Sequence, residues 1–206
     1  MMITTVFLAL FVLTACTDEQ QETAGNADSA SYQYHDITEY EADGCLFQME
    51  DAPQSAAEEV VAREFLYTIT GNFDKKYDVW SGAEAHGISH ENEKKNRAEG
   101  LFVNTYILHG IDTLTPEQYT AATLDGGEEN PYYFAALDGL TAKYGIVDAF
   151  SIINVCYTMD MSAESVAAGP QWGPGTYTRN FLVAPDADRG YRIYDLDVPR
   201  ALIEPE

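Results

Sequence analysis

The pattern of apolar and polar positions changes character three times along the chain. Residues 3–13 are uncharged and mostly apolar, Ile-Thr-Thr-Val-Phe-Leu-Ala-Leu-Phe-Val-Leu. Residues 17–31, TDEQQETAGNADSAS, hold no large apolar side chain. Such a stretch buries too little surface to offset its ordering entropy, which predicts a disordered spacer. From Ser55 a helical period begins. Ala57, Val61, Phe65 and Ile69 recur every four residues, with Val60 and Leu66 beside them, one apolar helix face. Ser55-Ala-Ala-Glu58 fits a capping box at its start, and Gly71-Asn72 supplies the stop. A short helix over 74–80 follows, with Phe73, Tyr77 and Trp80 facing inward, then a charged helix over 89–99.

The middle is less regular. Residues 102–111 fit a strand or a continued helix. Thr115-Pro116-Glu117 reads as a helix start, with proline in the first turn. Asp125-Gly126-Gly127 reads as a turn, and Asn130-Pro131 opens a helix that runs to Tyr144 and stops at Gly145. The last third alternates with period two. Ile153, Val155, Tyr157, Met159 and Met161 interleave with Asn154, Thr158 and Asp160. After a Gly/Pro loop at 169–175, Tyr177, Phe181 and Val183 alternate with Thr178 and Asn180. Residues 185–190 make a turn into a final strand, 191–198. Helices first and an antiparallel meander last define an α+β domain, with the N-terminal helices packed on one face of an antiparallel sheet.

Composition narrows the class. Of 206 residues 46% are hydrophobic, enough for a core, and the formal net charge is −23 from 34 acidic against 11 basic residues. Affinity for nucleic acid and for anionic head groups rests on Lys and Arg, so a nucleic-acid binder is excluded. The acidity serves solubility, or recruits cations or a basic partner. No Lys or Arg precedes Arg63, and like charges extend the spacer. Tyr32, Tyr34, Ile37, Tyr40, Leu46, Phe47 and Met49 make 32–51 too apolar for a plain linker. That segment is expected to pack along the domain as an extended arm.

Leu13-Thr14-Ala15-Cys16 closes a run too short to span a bilayer, which takes about 20 residues, but of the length of a signal-peptide apolar region. These four residues, set before a polar stretch, resemble the lipobox of bacterial lipoproteins. The resemblance implies a diacylglyceryl group on the Cys16 thiol, cleavage just before it, and anchoring on the extracytoplasmic side of a membrane. Each buried CH₂ of such a lipid contributes about 0.8 kcal/mol. One departure stands: Met1-Met2 carries no Lys or Arg, so either the N-terminal amine supplies the charge or the start lies upstream. Thr17 follows, where inner-membrane lipoproteins of Gram-negative cells often carry Asp. The chain thus divides into a signal peptide (1–15), an acidic spacer with its arm (16–51) and an α+β domain (52–206).

Two further stretches, ITGNFDKKYDVWSG at 69–82 and TRNFLVAPDADRGYRIYDLD at 178–197, resemble the two ends of nuclear transport factor 2-like (cystatin-like) domains, as found in small bacterial lipoproteins. The likeness covers 55–198 and is carried at its ends, leaving strand order across 100–145 open. It implies a sheet curved around a conical pocket, with Tyr191 and Ile193 filling the core. Some members of that family are enzymes that pair an Asp base with a Tyr or acid for an oxyanion. Tyr157, Asp160, Arg179, Tyr194 and Asp195 lie on expected strands as pocket candidates, and Trp172 stands exposed in the Gly/Pro loop near Tyr177. Strand neighbours such as Tyr194 and Asp195 point to opposite faces, and no spacing defines a catalytic dyad, so no catalytic residue is assigned. A second aromatic run is Tyr132-Tyr133-Phe134.

Other motifs read as loop chemistry. His86, His90 and Glu91 lack a helix-borne metal pattern because Gly87 interrupts it. Asp186, Asp188 and Gly190 echo a calcium loop without its distal Glu, and Asp125 with Glu128 and Glu129 sits in a turn. No metal and no cofactor is expected. Cys45 and Cys156 form an even extracytoplasmic pair, either a disulfide pinning the arm to a strand or two separate thiols. The expected function is a lipid-anchored envelope protein with a non-enzymatic binding role toward a small molecule, peptide or envelope protein. The alternatives are a pocket enzyme of the same fold, of isomerase or hydrolase type, and an accessory subunit of an envelope machine. Replacing Cys16→Ser is expected to shift the protein from the detergent phase to the aqueous phase in detergent-phase partitioning; retention in detergent contradicts the anchor.

Overall fold

A computed structural model of the chain describes residues 32–81, 90–115, 118, 124–125, 128–129, 141–146, 150–170 and 172–196. Cys16 with its signal segment, the spacer, His86 and Tyr132-Tyr133-Phe134 lie outside the described residues.

Helix α1, Ala56–Thr70, forms where the period-four stripe predicts it. Ser55 caps it by accepting from Glu58 N. The Glu58 carboxylate does not return to Ser55 as in a full capping box. It accepts from Gln54 N at 2.6 Å and, with its other oxygen, from Thr113 N at 3.0 Å and Thr113 Oγ1 at 2.7 Å. Gly71 ends the helix in the left-handed region at φ 68°, where a β-carbon is costly. Asn72 then caps α2, Phe73–Asp78, and α3, His90–Ala98, packs beside it. The last turn of α1 holds no basic residue. Arg97 of α3 supplies the missing cation, donating to Thr68 O at 3.3 Å and Ile69 O at 3.0 Å.

The sheet has six strands: β1 (Glu39–Ala42), β2 (Cys45–Met49), β3 (Val103–Thr113), β6 (Ser151–Met161), β7 (Gly175–Asp186) and β8 (Gly190–Leu196), in spatial order β1-β2-β3-β6-β7-β8. Between β3 and β6 in sequence, β4 (Leu124–Asp125) and β5 (Glu128–Glu129) form a separate two-stranded ladder, and a short helix α4, Ala163–Ala167, follows β6. The fold is α+β, but the sheet is mixed, which corrects the purely antiparallel expectation. Strands β1 and β2 form a hairpin around Asp43-Gly44, both at positive φ, as a type I′ turn requires. Strand β2 then lies parallel to β3, and the three helices between them are the crossover that parallel pairing demands. The arm is therefore the edge of the sheet itself.

Strand β3 resolves the helix-or-strand ambiguity, and register shifts interrupt its ladder with β6 between Val103 and Thr105 and between Leu108 and Gly110. Such bulges bend a sheet. On the α1 face, Phe47, Leu108, Ile153, Val155 and Val183 close against Val61, Phe65 and Ile69. Truncating any one of these large core side chains to alanine costs about 2–5 kcal/mol in comparable interiors. Ile193 is fully buried and Tyr191 packs beside it. At the outer edge of β8, 79–81 covers Ile193: Ile193 N donates to Val79 O and Ser81 N to Ile193 O, which interrupts the open ladder there.

The opposite face is polar, with a small apolar patch of Ile152 and Leu182 under Leu114, Ile146 and Tyr194. A chain of hydrogen bonds crosses it, Glu50 to His109 at 3.1 Å, His109 to Thr158 at 2.8 Å and Thr158 to Thr176 at 2.9 Å. The turn at 186–190 is held by Asp186 alone, whose carboxylate accepts from Asp188 N and from Arg189. The Arg189 hydrogen bond holds the Asp186 carboxyl below its ordinary range. Cys45 and Cys156 stand as separate thiols, the second of the two readings their pairing left open. They lie on strands flanking β3 but at different registers, Leu46 beside Cys45 pairing with Thr105 and Cys156 with Gly110, which sets them roughly 20 Å apart at about 3.3 Å per residue. Cys45 faces the α1 core while Cys156 alternates to the other face. A bridge needs Cα atoms within about 7 Å and converging β-carbons.

Candidate cleft between the helices and the sheet

A cleft of about 350 Å³ opens between the helices and the sheet. Thr68 of α1, Phe73 and Lys76 of α2, Glu93 of α3 and Phe102 and Tyr106 near β3 are among its walls. A smaller cavity of about 70 Å³ adjoins it, walled by Glu64, Trp80, Tyr157, Arg179 and Phe181, with Thr68 and Tyr106 common to both.

A buried charge cluster holds the cleft open. Lys76 Nζ lies 2.6 Å from Glu93 Oε1 and 3.3 Å from Glu64 Oε1. Trp80 Nε1 donates to the other Glu64 oxygen at 2.8 Å. Lys76 and Glu64 side chains are only 9% and 14% exposed, so each charge depends on its neighbours. Burial pushes the Glu64 carboxyl above its ordinary value, and Lys76 and Trp80 only partly offset it. For Lys76, burial works against the ammonium, but the Glu64 and Glu93 carboxylates outweigh it and raise its pKa. Burial also raises the Tyr106 phenol. Glu93 Oε2 is shielded from solvent and has no hydrogen-bond partner among the described residues.

Aromatic rings continue from this cluster to the surface. Tyr106 and Tyr157 meet Phe65 at 4.9 Å each, Tyr157 meets Tyr177 at 5.9 Å, and Tyr177 meets Trp172 at 5.5 Å. These are edge-on and tilted distances at which rings attract beyond area burial. The Arg179 guanidinium sits 4.9 Å over the Trp172 ring. Tyr177 donates to Gly173 O at 2.6 Å, which fixes the Gly/Pro loop that presents Trp172, itself 42% exposed.

Of the residues expected to line a pocket, Tyr157 and Arg179 do so, and Trp172 joins them through Arg179 and Tyr177. Asp160 and Tyr194 line neither of these two cavities. Asp160 is exposed on the far face and accepts from its own neighbour, Met161 N. Tyr194 packs on the far patch with Leu182. The expectation that Tyr194 and Asp195 diverge is also corrected. A register shift between Leu182 and Val183 breaks the alternation, and Tyr144 meets both, with its ring 5.7 Å from Tyr194 and its hydroxyl 3.1 Å from Asp195 Oδ2. Glu64, Lys76, Glu93 and Tyr106 were not singled out from the sequence. The signal for Glu64 was present: Val60, Glu64 and Thr68 are spaced by four along the buried stripe of α1, an acid where the pattern asks for an apolar side chain.

Comparison with protein-family models, with curated proteins and with solved structures finds no match for this chain. Among the described residues no helix is long and apolar enough to cross a membrane.

The raised Glu64 pKa fixes the sign of a pH effect. A carboxyl whose folded value exceeds its unfolded value contributes most to stability while protonated in both states, and that contribution is lost as pH rises through the folded value. Relative to Glu64→Gln, the native protein is therefore expected to lose stability as pH rises above about 4.5 toward 8. Urea unfolding of both proteins across that range measures it; a flat or rising difference contradicts the assignment.

Proposed function

We propose that this chain is a lipid-anchored, extracytoplasmic binding domain of nuclear transport factor 2-like architecture, whose cleft takes a small, largely apolar ligand. The lipobox-like Leu13-Thr14-Ala15-Cys16 and the acidic spacer support the anchoring, and the likeness at 69–82 and 178–197 supports the architecture. The observation that carries the binding reading is the cleft of about 350 Å³, within the range of small-molecule pockets, whose charged groups are already paired with one another. Paired charges shape and orient a site at little reorganisation on binding, as a receptor needs.

A second reading, a pocket enzyme, draws on Glu64, whose raised pKa beside Tyr106 and Tyr157 is the environment of a tuned general base. Both Glu64 oxygens are engaged, by Lys76 and by Trp80, so a substrate must first displace one of them. This favours the binding role.

A neutral solvatochromic dye, Nile red, tests the site. It is expected to bind with a blue-shifted emission that Ala168→Trp, filling the rim of the cleft, weakens at least tenfold. Circular dichroism of the variant checks its fold. Equal dye binding by a folded Ala168→Trp protein places the dye elsewhere and contradicts the reading.

A further inference from the structure

We infer that Tyr106 sets the length of ligand that this cleft accepts, so that the site is built for a short apolar molecule rather than a long chain. The inference rests on the binding reading and adds the size class of the ligand and the residue that fixes it.

Two cavities meet at one partition. The cleft of about 350 Å³ and the inner cavity of about 70 Å³ share Thr68 of α1 and Tyr106 of β3, and no other described wall. Beyond Tyr106 the inner cavity is lined by Phe65, Trp80, Tyr157, Phe181 and Leu196, so apolar surface continues past the ring. At about 30 Å³ for each water-sized group, that space holds roughly two methylenes.

The partition has a polar half and an apolar half. Lys76 lines the cleft and Glu64 the inner cavity, and their ion pair at 3.3 Å crosses between them. An apolar ligand parts that pair only by stranding two charges that have little solvent. Thr68 adds little bulk, and its hydroxyl turns back along its own helix to donate to Glu64 O at 2.8 Å. The Tyr106 ring is therefore the apolar stop. It meets Phe65 edge-on at 4.9 Å and Tyr157 at 5.6 Å, and both of these line the inner cavity and not the cleft. In a close-packed interior, a ring braced by two others does not swing aside without moving them. A ligand in the cleft ends where this ring stands. On a domain held beside a membrane, such a stop gives the long acyl chains around it no advantage over short ligands.

Straight-chain primary alcohols, butanol to decanol, test the stop by displacing Nile red from the full chain, with the dye affinity measured for each variant. Each added CH₂ is expected to tighten binding roughly fourfold while it finds apolar wall, and the rise is expected to end at one chain length. In Tyr106→Ala the rise is expected to continue for at least about two further carbons, so that the longest of these binds at least tenfold tighter than to the native protein. Tyr106→Phe keeps the ring and is expected to stop at the native length. Adding Leu196→Phe to Tyr106→Ala fills the inner cavity and is expected to withdraw the extension. Circular dichroism checks each fold. If Tyr106→Ala does not fold, Tyr106→Leu carries the same comparison, with an extension of about one carbon. A native rise without a stop, an unchanged stop in the folded truncation, an extension in Tyr106→Phe, or one that persists with Leu196→Phe overturns the inference and leaves the cleft a binding site. Alcohols that leave Nile red bound at every length overturn it too, and the Ala168→Trp comparison then decides the binding reading separately.

Discussion

One ammonium group joins three helices. Lys76 of α2 reaches Glu64 of α1 and Glu93 of α3 from a position almost without solvent. Neither α2, with 6 residues, nor α3, with 9, is long enough to persist by itself. Their placement depends on contacts outside their own turns. A buried ion cluster is a poor source of net stability, since desolvation consumes most of its attraction. It is a strong selector of geometry, because every misplacement strands a charge. The cleft is the space left when three helices must converge on one nitrogen while the aromatic floor of β3 and β6 holds them off.

The longest helix is fixed by the same logic at its two ends. Its apolar stripe determines which face meets the sheet, but an apolar stripe slides easily. Glu58 ties the first turn to Thr113 at the end of β3. Arg97 ties the last carbonyls to α3. With Glu64 engaged midway, α1 is held at three points along its length, and the walls it contributes to the cleft are set to within a hydrogen bond. A gate or ligand that shifts α3 must break Arg97 or Glu93 contacts, so the cleft is better described as preformed than as induced.

Local signals made part of this legible. The stripe of Val61, Phe65 and Ile69, the Ser55 cap, the Gly71 stop and the alternation through β6 and β7 all report interactions within a few residues of sequence. What was hidden depends on distant pairings. The parallel contact of β2 with β3 links residues on either side of three helices and leaves no local trace, and the segment read as an extended arm hides the Asp43-Gly44 hairpin before it. Strand β3 read ambiguously because its bulges stretch the inward spacing from two to three, Tyr106 to Leu108 to Ile111, which mimics a helical step. The bulge in β8 similarly misdirected Tyr194 and Asp195. The cleft left no such trace, because its charged groups sit on helices rather than on the alternating strands. On a helix an acid such as Glu64 or a lysine such as Lys76 ordinarily faces solvent, so neither residue type by itself signals burial.

The account rests on Lys76, and unfolding by urea of two variants at neutral pH tests it most directly. Lys76→Met keeps the length of the side chain and strands the Glu64 carboxylate, 14% exposed, and the partly exposed Glu93, so it is expected to cost about 3–5 kcal/mol. Adding Glu64→Gln and Glu93→Gln to it removes the stranded charges and is expected to restore most of that loss. If Lys76→Met alone costs less than about 1 kcal/mol, the value of an exposed surface pair, then the ammonium does not organise the three helices and the cleft has another origin.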